Sequence, residues 1–166
     1  MCIGLNIKSE VFITSDYSIR FIPEKLSFAL KPYEIEQIKG LNWYGNKIEI
    51  IQNYVVEFAD AGSDFETVSC PFCRKDLNDW WGDAMDAAYL DGQGFVNIKV
   101  ITPCCNRDTT LHELDYHFPQ GMYKTMIEVY PDTSREDFSP EDFSEEIGNG
   151  LWHTTGERWR VIHAHY

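Results

Sequence analysis

This 166-residue chain predicts an α+β fold, and three features carry that expectation. Segments rich in β-branched and aromatic residues alternate with amphipathic helical stretches. Two of the helices carry start signals. Four of the five cysteines fall into two tight pairs. From residue 54 onward the order reads strand, helix, strand, strand, helix, strand, which is the order of a ferredoxin-like βαββαβ sandwich.

Taken along the chain, residues 1–16 read as an edge hairpin or a loose extension, with Cys2 a free thiol. Ser18–Ile22 and Lys47–Ile51 read as strands, with Tyr33–Lys39 a short helix between them. Together these make an N-terminal αβ extension (residues 1–50) laid on the core of residues 51–166, all in a single domain. The first core strand is Tyr54–Phe58 or Glu66–Ser69. A helix follows from Asp76 to Leu90, because Leu77, Trp80, Trp81, Ala84, Met85 and Ala88 recur at helical spacing. Asp76 fits its N-cap, and Gly92 stands just past its end. The two tryptophans could form a stacking platform for a ligand, but their spacing suits core. Val96–Thr102 and Met122–Tyr130 are the next strands. The second core helix runs from Pro140 to Ile147. Ser139 is its N-cap, Pro140 its first residue, Phe138 and Phe143 a hydrophobic staple, and Gly148 its stop. Trp159–His165 is the last strand.

The cysteines are Cys70 and Cys73 in a Cys-Pro-Phe-Cys run, then Cys104 and Cys105 directly adjacent, about thirty residues later. Two thiolate pairs make four sulfur ligands, the set that tetrahedral Zn²⁺ favours. In the expected topology both pairs follow strands that end at one sheet edge, so a zinc knuckle would form there. Adjacent cysteines reach one metal only if the strand has ended, and Pro103 and Asn106 supply the irregularity. Were one cysteine to drop out, His112 would be the substitute and His117 a weaker one. A second reading takes Cys70 as the nucleophile and Cys73 as the resolving thiol of a thioredoxin-like redox site, which leaves Cys104 and Cys105 unexplained. Disulfides fit poorly, because no secretory signal is visible and a reducing cytosol is expected.

Composition limits the function. With 27 Asp plus Glu against 14 Lys plus Arg, the formal charge is −13, which repels phosphate backbones and argues against nucleic-acid binding. It favours encounter with a basic protein, although solubility alone also explains such a surface. The most negative stretch, Asp132 to Glu146, holds seven carboxylates and one arginine. Its Glu136, Asp137, Glu141, Asp142, Glu145 and Glu146 form the candidate partner-binding strip, and they also suit a helix N-terminus. No apolar run approaches the ~20 residues of a membrane span, so a cytoplasmic protein is expected. His163 and His165 share one face of the last strand and lack a third ligand nearby.

The run from Phe58 to Tyr130 carries a resemblance. Gly62, Phe65, Cys70-Pro71-Phe72-Cys73, Trp80-Trp81, Ala84-Met85-Asp86, Thr102-Pro103-Cys104-Cys105, Leu111, Leu114, Tyr116, Pro119 and Gly121 follow one another there. Ser18 to Pro23 stands upstream and Ala164-His165-Tyr166 at the end. This pattern resembles a family of small uncharacterised bacterial cytoplasmic proteins. The resemblance implies zinc binding with the cysteines as the recurrent feature, and it implies no reaction.

A non-enzymatic, zinc-stabilised acidic binding protein is therefore the leading expectation. Its concrete form is an immunity-type inhibitor of a basic bacterial toxin, an analogy from size and charge. No Walker loop, Gly-x-Ser-x-Gly elbow or His-Glu-x-x-His occurs. The alternatives are the redox enzyme and a zinc hydrolase with three cysteines on the metal and Glu113 or Asp115 as base. A nucleobase deaminase lacks its His-x-Glu and its cysteine spacing here.

Overall fold

A computed structural model describes residues 17–132 and 134–166. The expected hairpin or extension at residues 1–16, Cys2 included, lies outside them. The described chain folds as β1 (Tyr17–Pro23), α1 (Pro32–Lys39), β2 (Lys47–Ala59), β3 (Thr67–Ser69), α2 (Asn78–Ala88), β4 (Tyr89–Leu90), β5 (Gly94–Phe95), β6 (Lys99–Ile101), β7 (Asp108–Thr110), β8 (Asp115–His117), β9 (Gly121–Tyr130), α3 (Pro140–Thr155) and β10 (Trp159–His165). It is a mixed α+β structure with three helices and antiparallel sheets.

The main sheet has the order β10-β1-β9-β2, with every neighbouring pair antiparallel. This corrects the expected strand set. Residues 96–102 and 66–69 do not enter the main sheet: β6 ladders with β7, and β3 ladders with β8 and bridges through Ser69 to Asp76. The segment taken for an added N-terminal layer supplies two of the four main strands. β1 lies between β10 and β9, and its Ile19, Phe21 and Ile22 are fully buried. Local pattern alone cannot say which of many short strands pair with each other, and here the long-range partners decided the sheet.

One face of the sheet is covered by α1 and α3. Ile19, Phe21, Ile127 and Val129 meet Ile38 from α1 and Phe143, Ile147 and Leu151 from α3. On α3, Ser139 accepts the Asp142 N–H, Pro140 opens the helix, and the Phe138 and Phe143 rings lie 5.5 Å apart. The helix does not stop at Gly148; it runs to Thr155 and closes at Gly156, where φ is 69°. Leu151 continues the buried stripe beyond Gly148, and that packing outweighs the weak propensity of an interior glycine.

Residues 47–51 and 54–58, expected as separate strands, form the single strand β2. It bulges against β9 between Gln52 and Glu57, and Tyr54 is wholly exposed at the bulge. After β2 the chain turns at Asp60, whose carboxylate accepts the Gly62 N–H, and Gly62 bridges to His165 at the end of β10. Gly62 has φ 63°, and a Cβ there would overlap the His165 carbonyl. Gly62→Ala is expected to cost about 2 kcal/mol or more in thermal unfolding. Gly45→Ala, at φ 79° with open space around it, should cost only about 1 kcal/mol. Equal losses at the two sites would show that backbone conformation, not the close approach, sets the cost.

The segment between β2 and β9 has its own core. Val68, Leu77, Ala88, Leu111, Leu114, Tyr116 and the buried sulfur of Cys70 pack with Met122 at the start of β9. Trp81 stands among Phe58, Phe65 and Tyr116, and its indole N–H donates to the Tyr116 hydroxyl at 3.1 Å. Like Trp80 it is half-buried and packs against this core, as the spacing suggested. The helix carrying it is shorter than expected, Asn78–Ala88. It passes directly into β4, and Gly92 lies in the β4–β5 turn with φ 74°. No helix among the described residues is long and apolar enough to cross a membrane.

Candidate metal centre

The four paired cysteines are carried by two tight turns, one after β3 and one between β6 and β7. In the first, the Arg74 N–H donates to the Cys70 carbonyl and the Cys70 N–H to the Lys75 carbonyl. In the second, the Asn106 N–H donates to the Thr102 carbonyl and the Thr102 N–H to the Arg107 carbonyl. Each turn has proline second and a residue with positive φ fifth, Arg74 at 64° and Asn106 at 55°. The β6 strand has ended at Ile101, so Cys104 and Cys105 are freed from opposite-face alternation, as the flanking Pro103 and Asn106 predicted.

These turns bring the sulfurs of Cys70, Cys73, Cys104 and Cys105 within 4.8 Å of one another, an arrangement that could hold a metal ion. Cys73 and Cys104 stand 3.3 Å apart, Cys70 and Cys105 3.6 Å, and Cys104 and Cys105 3.9 Å. For tetrahedral thiolates at ~2.3 Å from zinc the sulfur–sulfur edge is ~3.8 Å. Cys70 is fully buried, Cys104 and Cys105 partly so, and Cys73 is exposed. The expected sheet-edge explanation for their meeting is corrected: two small antiparallel ladders, β3 with β8 and the β6–β7 hairpin, packed on the segment's own core, bring the turns together.

The sulfurs hold their protons unequally. Burial pushes the Cys70 thiol up, but the N–H groups of Cys73 and Phe72 and the sulfurs of Cys104 and Cys105 outweigh it and bring it down to about 6. Cys104 moves the other way. Burial first, then the sulfurs of Cys73, Cys70 and Cys105, push it up to about 12. The first negative charge therefore settles on Cys70 and opposes the next. Four thiolates side by side require a cation among them. Two side chains add positive charge at the turns: Arg107 stacks over the Phe72 ring at 3.9 Å, and Arg74 pairs with Asp115.

His112 is no substitute ligand. It is buried, its Nδ1 accepts the Met122 N–H, and its Nε2 faces the Glu24 carbonyl, both at 3.0 Å. Burial, then the charge of Arg160, lowers its pKa. Because the folded state resists protonation, stability should be complete above the unfolded value near 6.5 and fall as the pH drops below it. His112→Asn should flatten that loss in urea titrations between pH 7 and 5. An unchanged slope would place the acid sensitivity elsewhere.

The other candidates are occupied in ordinary ways. His117 pairs with Glu66 at 3.3 Å, and Glu113 accepts the Thr110 hydroxyl. His163 lies between Tyr17 and Ser144, and His165 pairs with Asp64. Glu136, Asp137, Glu141, Asp142, Glu145 and Glu146 are all exposed, on the first half of α3 and the loop before it. Asp137 pairs with Arg135, and Glu146 accepts the Tyr44 hydroxyl at 2.6 Å.

Sequence reasoning missed Thr102. It is fully buried, and its hydroxyl oxygen lies 3.2 Å from the Cys105 sulfur. Its signal was the shared proline, in Thr102-Pro103 as in Cys70-Pro71. No protein-family model, curated protein or solved structure matches this chain.

Proposed function

We propose that this chain is a non-enzymatic, zinc-stabilised acidic binding protein, and in its most concrete form an immunity-type inhibitor of a basic bacterial toxin. The observation that carries the reading is the four-sulfur cluster. Four thiolates fill a tetrahedral ion and leave no position for water or substrate, which is the pattern of a structural site. The six exposed carboxylates at α3 supply a negative face for a basic partner. We read the frame as ferredoxin-like, with the cysteine segment inserted between its second and third strands. Support comes from the order β10-β1-β9-β2 and the crossovers through α1 and α3.

The redox reading has one observation in its favour, the Cys70 thiol held at about 6. It meets two obstacles. Cys70 is buried where an attacking thiolate needs access, and a two-thiol site leaves Cys104 and Cys105, whose sulfurs join the same cluster, without a role. The hydrolase reading needs Glu113 or Asp115 free as a base at the cluster; Asp115 is instead paired with Arg74, and Glu113 accepts the Thr110 hydroxyl.

Elemental analysis of protein purified without added metal tests the metal half: about one zinc per chain is expected. Insulin-disulfide reduction by the metal-free dithiol protein should be absent, and robust reduction would put the redox enzyme first. The partner half is tested with the product of the adjacent gene. A salt-sensitive complex weakened by Glu141→Lys with Glu145→Lys is expected, and a housekeeping neighbour that does not bind would remove the inhibitor form.

A further inference from the structure

The two cysteine turns share their hydrogen bonds, their second-position proline and their fifth-position backbone, so they superimpose residue on residue in sequence. Cys70 then corresponds to Thr102, Phe72 to Cys104, and Cys73 to Cys105. First positions point inward in both, since Cys70 and Thr102 are each fully buried. Third positions point outward in the first turn, where Phe72 is exposed. Cys104 occupies that outward position and is only partly buried.

We propose that Thr102 holds the vacated inner ligand position of the second turn, and that Cys104 supplies the missing sulfur from the neighbouring outer position. Thr102 then acts as a positioning residue through its hydroxyl. That oxygen accepts the Arg107 N–H at 3.1 Å, which fixes its orientation, and lies 3.2 Å from the Cys105 sulfur. Its proton has two acceptors, the Arg107 carbonyl at 3.3 Å and Cys105, and a Cys105 thiolate is the nearer and the charged one. A cysteine at position 102 would branch from the same Cβ and put sulfur where the hydroxyl oxygen now stands. The inference rests on the metal reading of the cluster.

The test moves the ligand. Cys104→Ser should weaken zinc binding by about 100-fold and lower the sulfur-to-cobalt charge-transfer band of the Co²⁺-substituted protein to about three quarters. Adding Thr102→Cys to Cys104→Ser should restore the band and bring zinc affinity to within about tenfold of wild type. Thr102→Ser in the same background should restore neither. Near-UV circular dichroism follows folding throughout; if Cys104→Ser unfolds, recovery of the signal in the double variant reads the same rescue. Wild-type protein that holds zinc, beside a double variant no better than Cys104→Ser, overturns the proposal and leaves the metal reading standing. Full affinity in Cys104→Ser overturns it also. Folded wild-type protein that takes up no metal overturns both.

Discussion

Cys70→Ser is expected to melt the segment from Thr67 to His117 while the four-stranded sheet stays paired, and strong chelation of the wild-type protein to do the same. The regular structure inside that segment is slight: three ladders of two or three residue pairs each and one helix of 11 residues. Ladders that short are marginal in water without further packing. Their core is Val68, Leu77, Leu111 and Leu114 around the aromatic group of Phe58, Trp81 and Tyr116. Structural zinc contributes on the order of 10 kcal/mol to small domains, and that energy appears only in the folded arrangement. Replacing the buried Cys70 sulfur also leaves a hydroxyl among apolar neighbours. The loss should therefore exceed about 5 kcal/mol, more than the segment can supply alone. Cys73→Ser, at an exposed position, should cost less. Amide hydrogen exchange separates the two regions: protection should vanish at Val68, Val100 and Tyr116 and persist at Ile19, Phe21 and Ile127. Uniform loss across all six would mean that the protein is one cooperative unit, and unchanged exchange would mean that no metal supports it.

How much of this was legible in the sequence follows from which interactions are local. The staple of Phe138 with Phe143, the Ser139 cap and the stripe around Trp81 are each local in the chain; they placed the start of α3 and the body of α2, although α2 begins at Asn78 with Leu77, not Asp76, at its cap. The paired cysteines were legible because metal chemistry requires their spacing, whatever fold carries them. Sheet membership was not. β1 pairs with β10, residue for residue from Tyr17 with His165 to Pro23 with Trp159, across nearly the whole chain. Nothing local in Tyr17–Pro23 distinguishes a central strand from a peripheral one. The bulge at Tyr54 made one long strand look like two, because alternation breaks there. Thr102 was hidden for another reason: chemistry directs the eye to sulfur, and only the shared backbone of the two turns exposes the residue that stands in for it.

Arg20→Met should destabilise the protein by about 3 kcal/mol at neutral pH, the expected scale when one member of a buried pair is lost. Arg20 and Glu128 stand directly opposite on the central strands β1 and β9. The Arg20 Nε donates to Glu128 Oε1 at 2.8 Å, and its Nη1 to the Asp60 carbonyl at 2.9 Å. Ser18 and Tyr130 donate to the same carboxylate at 2.9 and 3.0 Å. Glu128 is buried, so it cannot recover lost partners from water. Burial pushes its carboxyl up, but the hydrogen bond and charge of Arg20, with the two hydroxyls, outweigh that and hold it below its usual value. A depressed carboxylate contributes stability that is present above the unfolded value near 4.3 and lost as the pH falls through the folded one. Without Arg20, burial dominates and the carboxyl takes up its proton at a higher pH than in wild type. Protonation then removes the uncompensated charge, so the deficit of the variant should shrink as the solution is acidified from pH 7 to 4. Urea denaturation of both proteins across that range reads the difference directly. Glu128→Gln in the Arg20→Met background should recover part of the loss at pH 7 by removing the same charge. A deficit that stays constant with pH, or that the second substitution deepens, would mean that packing of the arginine stem, and not the buried charge, sets the cost.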